Sequence, residues 1–223
     1  MGMHLTLTAA NAHKLGAYRA DPSGKPRGGI VVVQEIFGVN HHIRSVCDRF
    51  AALGYAAAAP ALFDRFVRNF ETGYTPENIA EARKYLVDLD WDALVRDTAV
   101  AIDELRPVGP VGIIGFCMGG SVAFLTAAKV NGLAAAVCFY GGQIIRFADQ
   151  RPKCPTQMHF GDKDAGIPTT DVAKIKEQRL DCEVFRYAPA EHGFCCDERA
   201  SFNAESASIG WMRAIRLFDK VTA

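Results

Sequence analysis

No run in the 223-residue chain approaches the ~20 consecutive apolar residues that cross a bilayer. Neither sign of charge is in excess, since 25 Lys+Arg balance 25 Asp+Glu. That balance removes the basic footprint of a protein held to nucleic acid or to an anionic lipid surface. Tracts rich in Ser, Gln or Glu are missing too, and 49% hydrophobic residues supply ample apolar side chains for a folded core. The opening MGMHLTLTAANAHK lacks a charged stretch followed by an apolar core, so no secretory signal is expected. Gly2 with Thr6 fits the loose myristoylation pattern, but the stretch also reads as a first strand and no basic cluster follows. The seven cysteines form no Cys-x-x-Cys pair and match no zinc module. Reduced thiols in a cytoplasmic protein without metal or cofactor are the plain expectation. Vicinal Cys195 and Cys196 read as packing residues rather than a redox pair, because adjacent cysteines rarely form unstrained disulfides.

What is present is an alternation of strands and helices. Residues 3–8 and 13–19 alternate with period two and suggest an antiparallel hairpin. GIVVVQ at 29–34 is an apolar, β-branched run of the kind buried on both faces of a parallel sheet. Residues 41–53 carry apolar side chains at helical spacing up to Gly54, and 55–59 form a short strand closed by Pro60. The stretch 61–78 has no clean period and is expected to be a loop. Helices are expected at 78–89, 91–106, 118–130, 169–180 and near 200–221. Strands are expected to lead into residue 115 and to cover 134–140, 156–161 and 182–187. Without any break in composition, this order predicts a single α/β domain over 1–223 with a mostly parallel, doubly wound sheet.

The most informative stretch is Ile113-Ile114-Gly115-Phe116-Cys117-Met118-Gly119-Gly120-Ser121. A buried strand runs through Gly-x-Cys-x-Gly straight into an Ala-rich helix, which is the arrangement of a nucleophile elbow with cysteine as the nucleophile. Such a turn strains its central residue, and glycines on either side let neighbouring backbone approach. The thiol then lies at the helix N-terminus, where the partial positive charge favours a thiolate and the Met118 N–H can hold an oxyanion.

In this architecture the acid and the histidine follow the nucleophile along the chain. His192 alone falls in a loop after the last strand, in Pro189-Ala190-Glu191-His192-Gly193-Phe194. The acid is expected in Gly161-Asp162-Lys163-Asp164, where Asp162 and Asp164 both qualify; Asp164 is preferred because the loop must pass the strand end to reach His192. Glu35, in Gln34-Glu35-Ile36-Phe37-Gly38-Val39-Asn40, stands at the end of a buried apolar strand, where a charge is costly unless paired or used. The Ile36 N–H of the same loop is a candidate second oxyanion donor.

These segments together, Gln34–Asn40, Gly115–Gly120, Gly161–Asp164 and His192–Phe194, resemble the dienelactone hydrolase family of α/β-hydrolases in matching order over nearly the whole chain. The resemblance implies a triad of Cys117, His192 and Asp164, with Glu35 holding the resting thiol. It implies a pocket lined by Tyr140 and Phe37 and, as type reaction, opening of an enol-lactone (4-carboxymethylenebut-2-en-4-olide) to maleylacetate. The two arginines that hold the lactone carboxylate in that family have no aligned counterpart, since Ile79 and Cys196 stand there; Arg83 and Arg199 are the nearest replacements. The expected partner is a small ester or lactone, bound by a monomer or homodimer. A related esterase, lactonase or thioesterase with another substrate, or a binding protein of the same fold, remains open at this point.

Overall fold

The computed structural model describes residues 2–87 and 89–222. Strands β1 (Met3–Thr8) and β2 (Lys14–Ala20) form the expected antiparallel hairpin, with Leu5 opposite Ala17. β3 (Gly29–Val33) is fully buried along its apolar run, and β4 (Ala56–Pro60) pairs parallel to β3 and antiparallel to β2. The strand order here is β1-β2-β4-β3. Helix α1 (His41–Ala52) is capped by the Asn40 side chain, which accepts the Ile43 N–H, and buries Ile43, Val46, Cys47 and Phe50. α2 (Pro76–Arg83) starts behind a Thr75 cap, and α3 (Trp91–Leu105) behind an Asp90 cap. These caps satisfy N–H groups that a helix start otherwise leaves open.

Chain contacts divide the molecule into two compact units, the first ending at Gly112 and the second starting at Ile113. The boundary falls within β5 (Val111–Phe116). The second unit continues with α4 (Met118–Lys129), β6 (Leu133–Phe139), β7 (Thr156–Gly161), α5 (Thr169–Gln178), β8 (Glu183–Tyr187) and α6 (Ala204–Thr222). Its strands lie in sequence order, with β6–β7 and β7–β8 parallel. Val122, Ala123, Phe124 and Leu125 of α4 are wholly buried, so this helix is apolar nearly all round, as a central helix must be. The fold is α/β, with eight mostly parallel strands, an antiparallel N-terminal pair and six α-helices among the described residues. None of these helices is long and apolar enough to cross a membrane.

Three segments differ from their periodicity. The stretch expected as a loop at 61–78 contains a 3-10 helix, Leu62–Arg65, and its end belongs to α2. Long-range bonds hold that turn: the Leu62 N–H donates to Gln34 Oε1 at 3.0 Å, and Arg65 grips the buried Asp97 carboxylate at 2.6 and 2.7 Å. The helix expected over 78–89 begins earlier and tightens into a 3-10 turn at Lys84–Leu86; residue 88 lies outside the described residues. The last helix starts at Ala204 rather than near 200, where Asn203 Oδ1 accepts the Ser206 N–H.

Candidate active site

β5 ends at Phe116, and the next residue turns the chain into α4. Cys117 takes φ 55°, a left-handed conformation that costs a non-glycine residue energy. Glycines make the turn possible: a Cβ on Gly115 would sit 1.9 Å from the Gly119 carbonyl oxygen, and one on Gly120 would sit 2.5 Å from that of Phe139. The Cys117 N–H donates to Phe139 C=O at 3.0 Å, which ties the elbow to the end of β6. Cys117 is half-buried, and Met118 begins the helix behind it. The N–H groups of a first helical turn have no carbonyl behind them and are open to an anion.

His192 lies in the loop after β8. Its Nδ1 is 2.7 Å from Asp164 Oδ2, and the ring is also hydrogen-bonded to the Cys117 sulfur. Burial works against a charged imidazole, yet the adjacent Cys117 sulfur and the hydrogen bonds to Asp164 and Cys117 outweigh it, pushing His192 up to about 10. The other carboxylate oxygen of Asp164 accepts the Gly166 N–H at 2.8 Å, which fixes the acid within its own loop. Asp162 goes elsewhere, to Arg186 Nε at 2.7 Å. Gly193, at φ +80°, turns the histidine loop; a Cβ there would fall 2.4 Å from the Arg199 guanidinium.

Tyr140 is buried beside this relay, its ring centroid 5.0 Å from that of His192, and it too has positive φ, 39°. Nothing in the residue type announces that backbone; the following Gly141-Gly142 is its only trace in sequence. A Cβ on Gly141 would press within 2.9 Å of the Gly120 and Ser121 backbone. The second unit therefore brings together Cys117, Met118, Asp164, His192 and Tyr140. Arg199 lies against the Gly193 turn, whereas Cys196 is wholly buried.

The remaining candidates belong to the first unit. Glu35 is 1% exposed, Ile36 is buried, and Phe37 packs edge-to-face on Tyr74 at 4.7 Å. Arg83 is solvent-exposed at the end of α2. All seven cysteines are free thiols, and Cys195 and Cys196 are buried.

Comparison with known proteins agrees with this architecture. The model of the dienelactone hydrolase family matches residues 15–222. A Synechocystis protein, provisionally named a carboxymethylenebutenolidase, is 37% identical over 225 residues, covering 92% of this chain and 91% of its own. A carboxymethylenebutenolidase from Pseudomonas putida is 31% identical, with 92% of this chain and 91% of that protein covered. A crystal structure from Klebsiella pneumoniae, provisionally named a dienelactone hydrolase, superposes with a TM-score of 0.85 at 30% identity, over 98% of this chain and 99% of that one. A match that runs from β2 to the end of α6 at this level of identity leaves one assignment: the chain belongs to the dienelactone hydrolase family of hydrolases.

Proposed function

We propose that the protein hydrolyses carboxylic esters and lactones through a thioester on Cys117. The observation that carries this reading is the hydrogen-bonded run from the Cys117 sulfur through His192 to Asp164 at the head of α4. The thiolate attacks the carbonyl carbon, and the oxygen that gains the electron pair is held by the Met118 amide. His192 gives its proton to the departing alkoxide or enolate, then takes one from water as that water attacks the thioester. Hydrolysis returns the thiolate and the imidazolium. Asp164 keeps the imidazole oriented and stabilises its charged form, as the acid of a triad does. Ile36 stays the candidate second oxyanion donor read from its loop, and Glu35 and Phe37 keep the roles that the family resemblance implies.

The leaving group selects the substrate. A thiolate is itself a good leaving group, so an intermediate that must expel a simple alkoxide tends to collapse back, whereas an enolate or phenolate departs. Enol-lactones, among them the carboxymethylenebutenolide in the name of the Pseudomonas putida relative, and aryl esters are the substrates this chemistry favours. Arg199, beside the His192–Gly193 turn, is the side chain proposed to meet an acidic substituent on such a substrate. Carboxylated and neutral esters compared at equal leaving-group pKa test that assignment.

The decisive experiment uses p-nitrophenyl acetate with wild type, Cys117→Ala and His192→Gln. Cys117→Ala is expected to lose on the order of 10³-fold or more in kcat. His192→Gln, mixed with the ester and examined by intact mass spectrometry, is expected to hold an acetyl group on Cys117. Steady turnover by Cys117→Ala at the wild-type rate overturns the reading.

A further inference from the structure

His159 is a buried, titratable residue that the hydrolytic steps leave unused. It stands on β7, two residues before the strand ends, and is fully enclosed. Its Nδ1 shares a 2.8 Å hydrogen bond with the Tyr187 hydroxyl on β8, and that hydroxyl accepts a second bond, of 3.0 Å, from Arg213 Nη1 on α6. The imidazole stacks on Phe139, centroids 4.4 Å apart and planes 19° apart. Phe139 in turn stacks on Phe116, 5.4 Å away at 8°.

Backbone bonds carry this arrangement to the reacting groups. Phe139 C=O accepts the Cys117 N–H at 3.0 Å, and His159 C=O accepts the Tyr140 N–H at 2.8 Å. Cys117 and Tyr140 are the two residues of the site that hold positive φ without being glycine. Tyr187 C=O accepts the Asp162 N–H at 3.0 Å and the Ala190 N–H at 3.1 Å, so one residue anchors the loop of Asp164 and the loop of His192. The Tyr187 ring also lies 5.0 Å from Phe194, two residues past His192. Strained backbone persists only where its surroundings over-determine it, and here those surroundings converge on one side-chain pair.

We propose that His159 and Tyr187 are positioning residues, whose side-chain bond locks the ends of β7 and β8 and so holds Cys117 and Tyr140 in register with His192 and Asp164. The proposal rests on the thioester reading above. A histidine that merely filled the core could be exchanged for an apolar ring of similar shape. Burial, with the nearby Arg213 charge, lowers His159 to about 3, so the ring stays neutral and can keep its bond to Tyr187 at pH values above that.

His159→Phe keeps a stacking ring and removes the bond, Tyr187→Phe removes it from the other side, and His159→Asn returns a polar partner near the Nδ1 position. With p-nitrophenyl acetate, each Phe variant is expected to lose about tenfold in kcat, with KM held within about twofold, because small displacements of reacting groups cost rate rather than binding. The double variant is expected to lose no more than either single one, and His159→Asn to return within about threefold of wild type. With phenyl acetate, whose more basic leaving group draws on the His192 proton, the alkaline limb of the kcat/KM profile is expected in both Phe variants to move toward neutrality as the sulfur–imidazole contact loosens. Wild-type kcat and an unmoved limb in the Phe variants overturn the proposal, as does a double-variant loss equal to the product of the two single losses. Tyr187→Phe deletes one oxygen and keeps the ring, so it answers the question even if His159→Phe is unstable. Cys117→Ala run alongside separates the two readings, since turnover there defeats the thioester chemistry whatever His159 does.

Discussion

A thiol next to a neutral imidazole shares one proton between two atoms of similar appetite. A carboxylate behind the imidazole changes the sharing, because it favours the charged ring. At His192 burial opposes that charge, and the Cys117 sulfur with Asp164 overcomes it, to leave the ring titrating at about 10. In Cys117→Ser the hydroxyl stays neutral, so the largest raising contribution vanishes and burial draws the value below that of wild type. NMR titration of the His192 ring protons in the two proteins checks this, and an identical midpoint in both contradicts it. For catalysis the sign is fixed: as pH rises through about 10 the imidazolium of the free enzyme disappears and a basic leaving group loses its acid, so kcat/KM for such substrates falls on the alkaline side. The strand–Gly-x-Cys-x-Gly–helix pattern singled out Cys117 in the sequence, and chain order then singled out His192. Asp164 was preferred over Asp162 only on the reach of the loop, because the bond that ties Asp162 to Arg186 on the neighbouring strand was hidden. Tyr140's left-handed backbone was equally hidden, since it is imposed by what surrounds it.

Among elements, the strand-to-helix turn is the one whose geometry has least slack. Gly115 must accommodate the Gly119 carbonyl, and the 1.9 Å left for a Cβ is far inside any contact distance. Gly115→Ala is therefore expected to destabilise the protein by on the order of 1–3 kcal/mol or more. Catalysis is expected to fall further than stability, since any relief of the clash moves Cys117 away from His192. Thermal unfolding with kcat measured on the folded fraction tests both halves; an alanine variant with wild-type melting and wild-type kcat refutes the account of the turn. Elements of this kind were legible because their signals are local: glycine spacing, β-branched runs, helical periodicity closed by Gly54. Leu62–Arg65 was not legible, because Gln34 and Asp97, far away in sequence, supply the bonds that form it. Periodicity reports on burial along one element, and a turn held by distant side chains has no period to report.

For the molecule as a whole, two histidines perturbed in opposite directions shape stability against pH. His159 is lowered from 6.5 to about 3 by burial and by Arg213. Between those values the unfolded chain binds a proton that the folded one refuses, so stability falls as pH drops from 6.5 toward 3. His192 is raised from 6.5 to about 10 against its own burial. Between those values the folded chain keeps a proton that the unfolded one has lost, so stability falls as pH climbs from 6.5 toward 10. The two histidine contributions cross near pH 6.5, where neither is spent, so together they add a dome centred there to the pH dependence that the other groups impose on the melting temperature. Each flank has its own variant. His159→Phe removes the group that refuses the proton and should flatten the acid side while leaving the alkaline slope. Cys117→Ser, by lowering the folded value of His192, should flatten the alkaline side while leaving the acid slope. Calorimetric scans of the three proteins at closely spaced pH decide the matter, and an acid flank as steep in His159→Phe as in wild type would remove that histidine from the account.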